Sequence, residues 1–134
     1  MAKLSEIEGI GEAYSSKLAE AGITSLENLL EVCGDKKGRK DVTEKSGISE
    51  KLVLKWANRA DLSRIKGVST QYADLLEYAG VDTVPELAQR KAENLQAKMV
   101  EVNEEKHLVR QVPSLSQVEG WVAQARELPR AIHY

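Results

Sequence analysis

The chain has 134 residues, a formal net charge of −2 at pH 7 and 42% hydrophobic residues. This length fits one average domain or two very small ones, and the single cysteine excludes an internal disulfide framework. No apolar stretch approaches the ~18 residues that a membrane span needs, and the start, "MAKLSEIEG", lacks the apolar region of a signal peptide. We therefore expect a cytoplasmic protein with no membrane partner.

The net charge conceals an uneven distribution along the chain. Residues 1–34 carry two basic and six acidic side chains, residues 35–66 carry ten and five, and residues 67–134 carry seven and ten. A basic middle between acidic ends favours an anionic partner for the middle segment.

The chain contains an internal repeat. The stretch "LSEIEGIGEAYSSKLAEAGITSLENL" (4–29) returns 58 residues later as "LSRIKGVSTQYADLLEYAGVDTVPEL" (62–87), with nine identical positions. In each copy an apolar face with helical spacing ends at a glycine, Gly22 or Gly80, which predicts a helix and its stop. Such a duplication indicates that each copy is one structural unit.

The first copy continues with two further predicted helical regions. "LENLLEVC" is expected to begin after a Thr24 or Ser25 cap, and its last residue, Cys33, has the position of a small buried hydrophobe. The following basic stretch predicts a helix over 39–45, a break at a glycine, and a helix from a serine cap at position 49 to about residue 60.

This basic stretch has the outline of a helix-turn-helix. Lys51, Lys55 and Arg59 are four residues apart, so they would line one helix face, which suits phosphates along a nucleic-acid backbone. The alternative is an ordinary solvated helix face. Base readout has one clear candidate, Asn58.

The second copy continues with "VDTVPELAQR", in which Pro85 falls in the first turn of a helix. A longer helix is predicted from residue 92 as far as Pro113, and a last helix runs to Pro129. Trp121 in this last helix echoes Trp56 in the first copy, and we expect both indoles to be buried.

The predicted fold class is all-α, because no segment of any length alternates apolar and polar residues with a period of two. Residues 1–61 and 62–134 are expected to be two repeats packed as one compact helical bundle. A pseudo-twofold axis would then relate six apolar residues of one shared core: Ile7, Ile10, Leu18, Ile65, Val68 and Leu76.

The repeated segment resembles a known module. "IEGIGEAYSSKLAEAGI" reads apolar, any residue, Gly, apolar, Gly, and then a helix, as in the helix-hairpin-helix module. The resemblance implies short SAM-like helices joined by a hairpin turn at Gly9 and Gly11, and at Gly67 in the second copy. In that family the glycines let the backbone approach a phosphate, which the N–H groups of the following helix bind.

Over almost its whole length the chain also resembles a family of small bacterial proteins known only as a domain of unknown function. The resemblance rests on stretches such as "GRKDVTEKSGISEKLVLKWANRADLSRIKGV", "YAGVDTVPELAQR" and "LPRAIHY". It implies two tandem helix-hairpin-helix-like repeats and no particular activity.

The two predicted hairpins differ in charge. The first is flanked by three carboxylates that would repel a phosphate: Glu6, Glu8 and Glu12. The second has Arg64 and Lys66 beside it, and Ser69 replaces its second glycine as a cap for the next helix. The second hairpin is therefore the better predicted phosphate binder.

Catalysis has little support in the sequence. His107, His133 and Cys33 do not have the spacing of metal ligands, and no P-loop, dinucleotide fingerprint or nucleophile motif occurs. We expect no enzyme activity, no catalytic residue, no metal and no cofactor.

These observations predict a non-enzymatic module that holds DNA backbone phosphates with little sequence preference, as a monomer or weak dimer. The expected nucleic-acid-binding residues are Lys36, Lys37, Arg39, Lys51, Lys55, Arg59, Arg64, Lys66, Gly67 and Ser69. The alternative is a protein-interaction or scaffold module that docks on a protein partner and uses its repeats structurally.

Overall fold

The computed structural model describes Leu4 and residues 10–133, except the side chain of Thr70. These residues form eight α-helices and no β-strand, which confirms the all-α class for the described part of the chain. The helices are α1 (Glu12–Glu20), α2 (Leu26–Cys33), α3 (Lys36–Ser46), α4 (Glu50–Leu62), α5 (Thr70–Tyr78), α6 (Val84–Ala88), α7 (Ala92–Lys106) and α8 (Leu115–Glu127). None of the helices formed by these residues is long and apolar enough to cross a membrane. Four residues named in the sequence predictions lie outside the described residues: Glu6, Ile7, Glu8 and Gly9.

The chain divides into two compact units. The first contains the residues up to Asp61 together with those from Ala131 onwards, and the second contains Leu62–Arg130. Each unit has its own cluster of buried apolar side chains, with Ile10 and Leu18 in the first and Ile65, Val68 and Leu76 in the second. The prediction of one core shared by the two units, to which Ile7 outside the described residues also belongs, stays a prediction.

In the first unit, α1 and α2 both pack against α3. Of the two predicted caps of α2, Ser25 is the one observed, because its Oγ accepts a hydrogen bond from the Asn28 amide at 3.1 Å. The helical spacing of α2 then places Leu26, Leu29 and Cys33 on one face, and all three are buried. Cys33 is thus a core residue, as the sequence predicts.

In the second unit, α6 and α7 pack against α8, and α5 packs against α7. Ser69 caps α5 as predicted, accepting from the Tyr72 amide at 3.3 Å. Pro85 lies in the first turn of α6, where the amide it lacks has no helical acceptor. The inward faces of these helices bury Leu75 and Leu76 completely, and each such side chain contributes about 1.5–3 kcal/mol.

The ends of α1 and α5 have the same hydrogen-bonding pattern, 58 residues apart. Gly22 (φ +90°) and Gly80 (φ +98°) both have the left-handed backbone that glycine adopts without strain. In the first unit the Ile23 amide donates to the Leu18 carbonyl at 2.8 Å, and the corresponding bond in the second unit has the same length. Both helices therefore end in a Schellman motif, which satisfies their last carbonyls.

The two tryptophans are buried, as the sequence predicts. Trp56 in α4 is 1% exposed and Trp121 in α8 is 3% exposed. Trp56 packs against Tyr14 with ring centroids 5.2 Å apart, and Trp121 packs against Tyr72 with centroids 5.4 Å apart. Each indole is thus held by a tyrosine from the first helix of its own unit.

Two helix boundaries differ from the prediction. Helix α3 begins at Lys36 rather than near residue 39, because Asp35 caps it. Helix α7 ends at Lys106 instead of continuing to Pro113, since His107 takes a left-handed conformation with φ +50°.

Candidate nucleic-acid interface

The basic segment of the first unit begins at the start of α3. Asp35 caps this helix, and its Oδ1 accepts a hydrogen bond from the Gly38 amide at 2.7 Å. Helix α3 carries five basic and two acidic side chains. Four of its basic side chains, those of Lys36, Lys37, Lys40 and Lys45, are exposed.

Glycine at position 38 allows the first turn of α3 to lie against the end of α2. A β-carbon at this position would overlap the carbonyl oxygen of Val32 and would lie 3.1 Å from the Asp35 carboxylate. The close approach positions the turn that carries Lys36 and Lys37, so these lysines extend from a well-packed helix end.

A connection of three residues, 47–49, joins α3 to α4. Gly47 ends α3 with φ +76°, and the Ser46 hydroxyl donates to the Val42 carbonyl at 2.6 Å. Ser49 accepts from the Leu52 amide at 3.3 Å, in the capping role predicted for it.

Helix α4 presents two lysines to solvent. Val53 and Trp56 lie in the core and set the rotation of the helix. Lys51 and Lys55, which are four residues apart, are exposed as a result. The first unit therefore carries exposed lysines on two consecutive helices.

Two carboxylates near these lysines already have partners. Asp35 accepts the Gly38 amide as the cap of α3, and Asp41 lies 3.0 Å from the Lys45 ammonium one turn further along. Such an exposed pair contributes little to stability. It does reduce the repulsion that Asp41 would exert on an approaching anion.

Arg39 points inward and is 3% exposed. Its guanidinium donates to the carbonyls of Cys33 (3.0 Å), Gly34 (3.2 Å) and His133 (2.9 Å). A buried guanidinium requires such acceptors for its N–H groups. Arg39 is therefore buried and bonded to main-chain carbonyls rather than exposed, and its predicted role as a phosphate contact stays a prediction.

The lysine stripe predicted for α4 is also shorter than expected. Arg59 is 9% exposed and belongs to the buried side of the helix. A four-residue step advances about 40° around a helix, so two steps carry Arg59 about 80° away from Lys51 and towards the core. The Asn58 Oδ1 atom is buried without a hydrogen-bond partner among the described residues, so this side chain does not present it to a base.

The predicted second hairpin packs against α8. The Lys66 amide donates to Gln124 Oε1 at 2.9 Å, and the Lys66 carbonyl accepts from Gln124 Nε2 at 3.2 Å. Gly67 has φ +96°, and a β-carbon there would lie 3.0 Å from the Trp121 indole nitrogen. The main chain of this turn is thus used for packing, while the Lys66 side chain is exposed.

The other predicted hairpin residues have local roles. Arg64 is half-buried, and its Nη2 donates to the Pro129 carbonyl at 2.8 Å. Ser69 is exposed and caps α5. Gly11 is the N-cap of α1 in an extended conformation, with φ −87° and ψ −174°, which any residue adopts. The expectation that the hairpin residues and the lysines form one binding face stays a prediction.

A groove of about 540 Å³ lies beside α3. The groove is lined by apolar, basic and acidic residues, namely Val32, Asp35, Lys37, Gly38, Lys40, Asp41 and Glu44. Because this lining contains both lysines and carboxylates, the groove does not select an ion of one sign.

The surroundings of Cys33 make its thiol unreactive at neutral pH. Burial raises the pKa of the Cys33 thiol to about 11, against an opposing effect of Arg39 and with a smaller increase from Asp35. The thiol therefore stays protonated at neutral pH and is a weak nucleophile. Across Leu4 and residues 10–133, no group of three or more His, Cys, Asp or Glu side chains is placed to hold a metal ion.

Two groups that bind predicted site residues could not be identified from the sequence. Gln124 binds a turn 58 residues away, and the segment Ala131–His133 reaches Arg39 from 94 residues away. Neither has a local pattern that could have revealed it. The apolar Ile132 within "LPRAIHY" is the one weak signal.

The comparison with protein families shows the family to which the chain belongs. A family described as "Domain of unknown function (DUF4332)" matches residues 8–128, a span that includes all of α1 to α8. The chain belongs to the DUF4332 family. This membership confirms the predicted relation to a family of unknown function and assigns no activity to the lysines. No curated protein and no solved structure matches the chain.

Proposed function

We propose that this DUF4332 chain is a non-enzymatic nucleic-acid-binding module that contacts backbone phosphates with little sequence preference. One observation carries the proposal, namely the six exposed lysines on two consecutive helices of one unit. They are Lys36, Lys37, Lys40 and Lys45 on α3, of which Lys45 is paired with Asp41, and Lys51 and Lys55 on α4.

The residue types support a contact with phosphates rather than with bases. A lysine ammonium is a flexible point charge that meets a phosphate without strict geometry, whereas base edges are read by fixed forks such as arginine and asparagine. Arg39 and Arg59 are buried, and the Asn58 oxygen is buried too. The side chains best suited to base readout therefore face inward, which favours sequence-tolerant binding.

We also propose that the two units are divergent copies of one helix-hairpin-helix-like repeat, in a cytoplasmic protein of a bacterium. Three features recur at equivalent places: the bounds of α1 and α5, the glycine stops Gly22 and Gly80, and a Tyr–Trp pair whose indole is buried. In this reading Lys66 and Ser69 of the second copy supply additional phosphate contacts. An experimental structure whose two units superpose helix for helix would support the duplication.

A protein-docking role is the alternative, and the second hairpin favours it. Both main-chain groups of Lys66 bind Gln124, and Gly67 lies close to Trp121. These contacts give the turn a packing role that does not require a bound phosphate. The exposed carboxylates of α7 would then face a protein partner; they are Glu93, Glu101, Glu104 and Glu105.

Salt dependence separates the two roles. We expect fluorescence anisotropy with two unrelated 20-base-pair duplexes to give similar affinities, both falling steeply as salt rises. Each phosphate contact contributes a slope of about −0.9 on a log–log plot, so three or four contacts give about −3. Undetectable binding at 20 mM salt would leave the docking role as the better account.

Charge reversal locates the contact. Lys51→Glu with Lys55→Glu should weaken binding by about tenfold or more and reduce the salt slope by nearly two contacts. Lys91→Glu with Lys98→Glu is the matched control, since it makes the same change in net charge at two exposed lysines of the second unit. Equal losses in the two double variants would argue against a site on α3 and α4.

A further inference from the structure

The last described residues complete the first unit. Residues 131–133, here called the latch, belong to this unit although they follow the whole of the second unit in sequence. Ile132 is 1% exposed and lies in the first core cluster. The His133 amide donates to the Gly34 carbonyl at 2.6 Å.

The latch lies against residues at the end of α2. A β-carbon on Gly34 would lie 2.5 Å from the Ala131 carbonyl oxygen, so glycine is needed where the latch crosses. The Arg39 Nη2 also donates to the His133 carbonyl at 2.9 Å. The contacts that hold the latch thus include one buried apolar side chain and two hydrogen bonds that involve main-chain atoms.

Arg39 connects the latch to the lysine surface. It belongs to α3, between Lys37 and Lys40, whose side chains are exposed. Two of its three acceptors, the Cys33 and Gly34 carbonyls, lie at the end of α2, and the third belongs to the latch. Removal of the latch would leave one face of the guanidinium without its acceptor and its cover.

Opening the latch requires far less than unfolding the unit. Only Ile132 leaves the first core cluster, while the side chains that α1 to α4 contribute stay packed. Local openings of this kind involve few buried contacts and precede global unfolding. The latch is therefore able to open while the lysine-bearing helices remain folded.

We propose that the latch is a displaceable cover over Arg39, and that its opening adds this guanidinium to the phosphate-binding lysines of α3. The inference rests on the proposed nucleic-acid function and concerns its regulation. In the closed state Arg39 is withheld from an anion by its bond to His133. In the open state the same side chain supplies one more cation beside Lys40.

Two variants open the latch by different means. Ile132→Ser removes its apolar anchor, and His133→Pro removes the amide that donates to Gly34 without changing a core side chain. Ala123→Ser, an exposed change in α8, is the control. Circular dichroism verifies that each variant is folded, and the modification rate of Cys33 by a disulfide reagent reports opening, because this thiol is fully buried in the same cluster.

We expect both latch variants to accelerate Cys33 modification at least tenfold and to bind duplex DNA several-fold more tightly. The salt slope should grow by about 0.9, the value of one added contact. Combining Ile132→Ser with Arg39→Gln should abolish the gain in slope. The control should match the wild-type chain in all three measurements.

The outcomes distinguish this inference from the function on which it rests. If the wild-type chain binds DNA and the opened variants bind it with the same affinity and slope, the cover is disproved while the function stands. Unchanged Cys33 reactivity in both folded variants would also overturn the latch. Absence of DNA binding in every variant at low salt would overturn both proposals.

Discussion

At the scale of single residues, Gly67 is subject to two independent constraints. Its φ of +96° is strained for any residue with a side chain, and a β-carbon would lie 3.0 Å from the Trp121 indole nitrogen. We expect Gly67→Ala to lower the free energy of unfolding by about 1–3 kcal/mol, as measured by urea denaturation.

Gly120 is the matched control for this substitution. It lies within α8, is exposed, and has no atom within 4 Å of a β-carbon built on it. Gly120→Ala should raise the free energy of unfolding by about 0.5–1 kcal/mol, because alanine is the better helix former. A neutral or stabilising Gly67→Ala would contradict the turn conformation described above.

The roles of individual residues were predictable where they depend on near neighbours. Ser25 and Ser69 were predicted as caps because a capping serine binds an amide only three residues ahead. The burial of Arg39 was not predictable from its neighbours, because one of its acceptors lies 94 residues away. The burial of Arg59 was missed because a spacing of four advances around the helix by about 40° per step.

At the scale of the helix, the end of α7 depends on one side chain. Asn103 donates to the Val109 carbonyl at 3.1 Å and accepts from the Val109 amide at 3.0 Å. These two hydrogen bonds, here called the Asn103 bracket, hold residues 103 and 109 together across the turn in which His107 has a positive φ. We expect Asn103→Ala to lower the free energy of unfolding by about 1–3 kcal/mol, since it removes both bonds.

Hydrogen exchange provides the local measurement for this variant. The Val109 amide should exchange much faster in Asn103→Ala than in the wild-type chain, because its acceptor is gone. Asn94→Ala, at an exposed position near the start of the same helix, should leave Val109 exchange unchanged. Equal protection of Val109 in the two variants would show that Asn103 does not end the helix.

The existence of the helices was more predictable than their ends. Apolar periodicity and glycine stops indicate where helices lie, and the described residues contain a helix in each predicted region. The stretch "EEKHLVRQV" has no glycine or proline, so nothing local marks a stop before Pro113. The Asn103 bracket that ends α7 is a side-chain contact to backbone six residues ahead, which periodicity does not detect.

At the scale of the whole molecule, each unit contains one tryptophan in its own core cluster. Trp121→Phe and Trp56→Phe thus give chains whose fluorescence reports the first or the second unit alone. Leu29→Ala in the first core should destabilise that unit by about 2–5 kcal/mol. We expect the denaturation midpoint reported by Trp56 to fall more than the one reported by Trp121.

The reciprocal variant completes this measurement. Leu75→Ala removes a fully buried side chain from the second core, and it should lower the midpoint reported by Trp121 more strongly. If both probes moved together in both variants, the two cores would unfold as one cooperative block, contrary to the expectation.

The second unit begins at Leu62, the residue at which the second copy of the repeated stretch starts. A repeat indicates where one unit gives way to the next, because each copy has to bury its own apolar face. It does not reveal that residues 131–133 return to the first unit, since they lie beyond the repeated segment.

Because residues 131–133 belong to the first unit, they affect the order in which the two units complete their folding during synthesis. N-terminal parts of a chain usually fold first as they emerge during translation. Here the first core needs Ile132, which is synthesised after every residue of the second unit. The first unit is therefore synthesised before the second but completed after it, and its core lacks the Ile132 side chain for as long as the second unit is being translated.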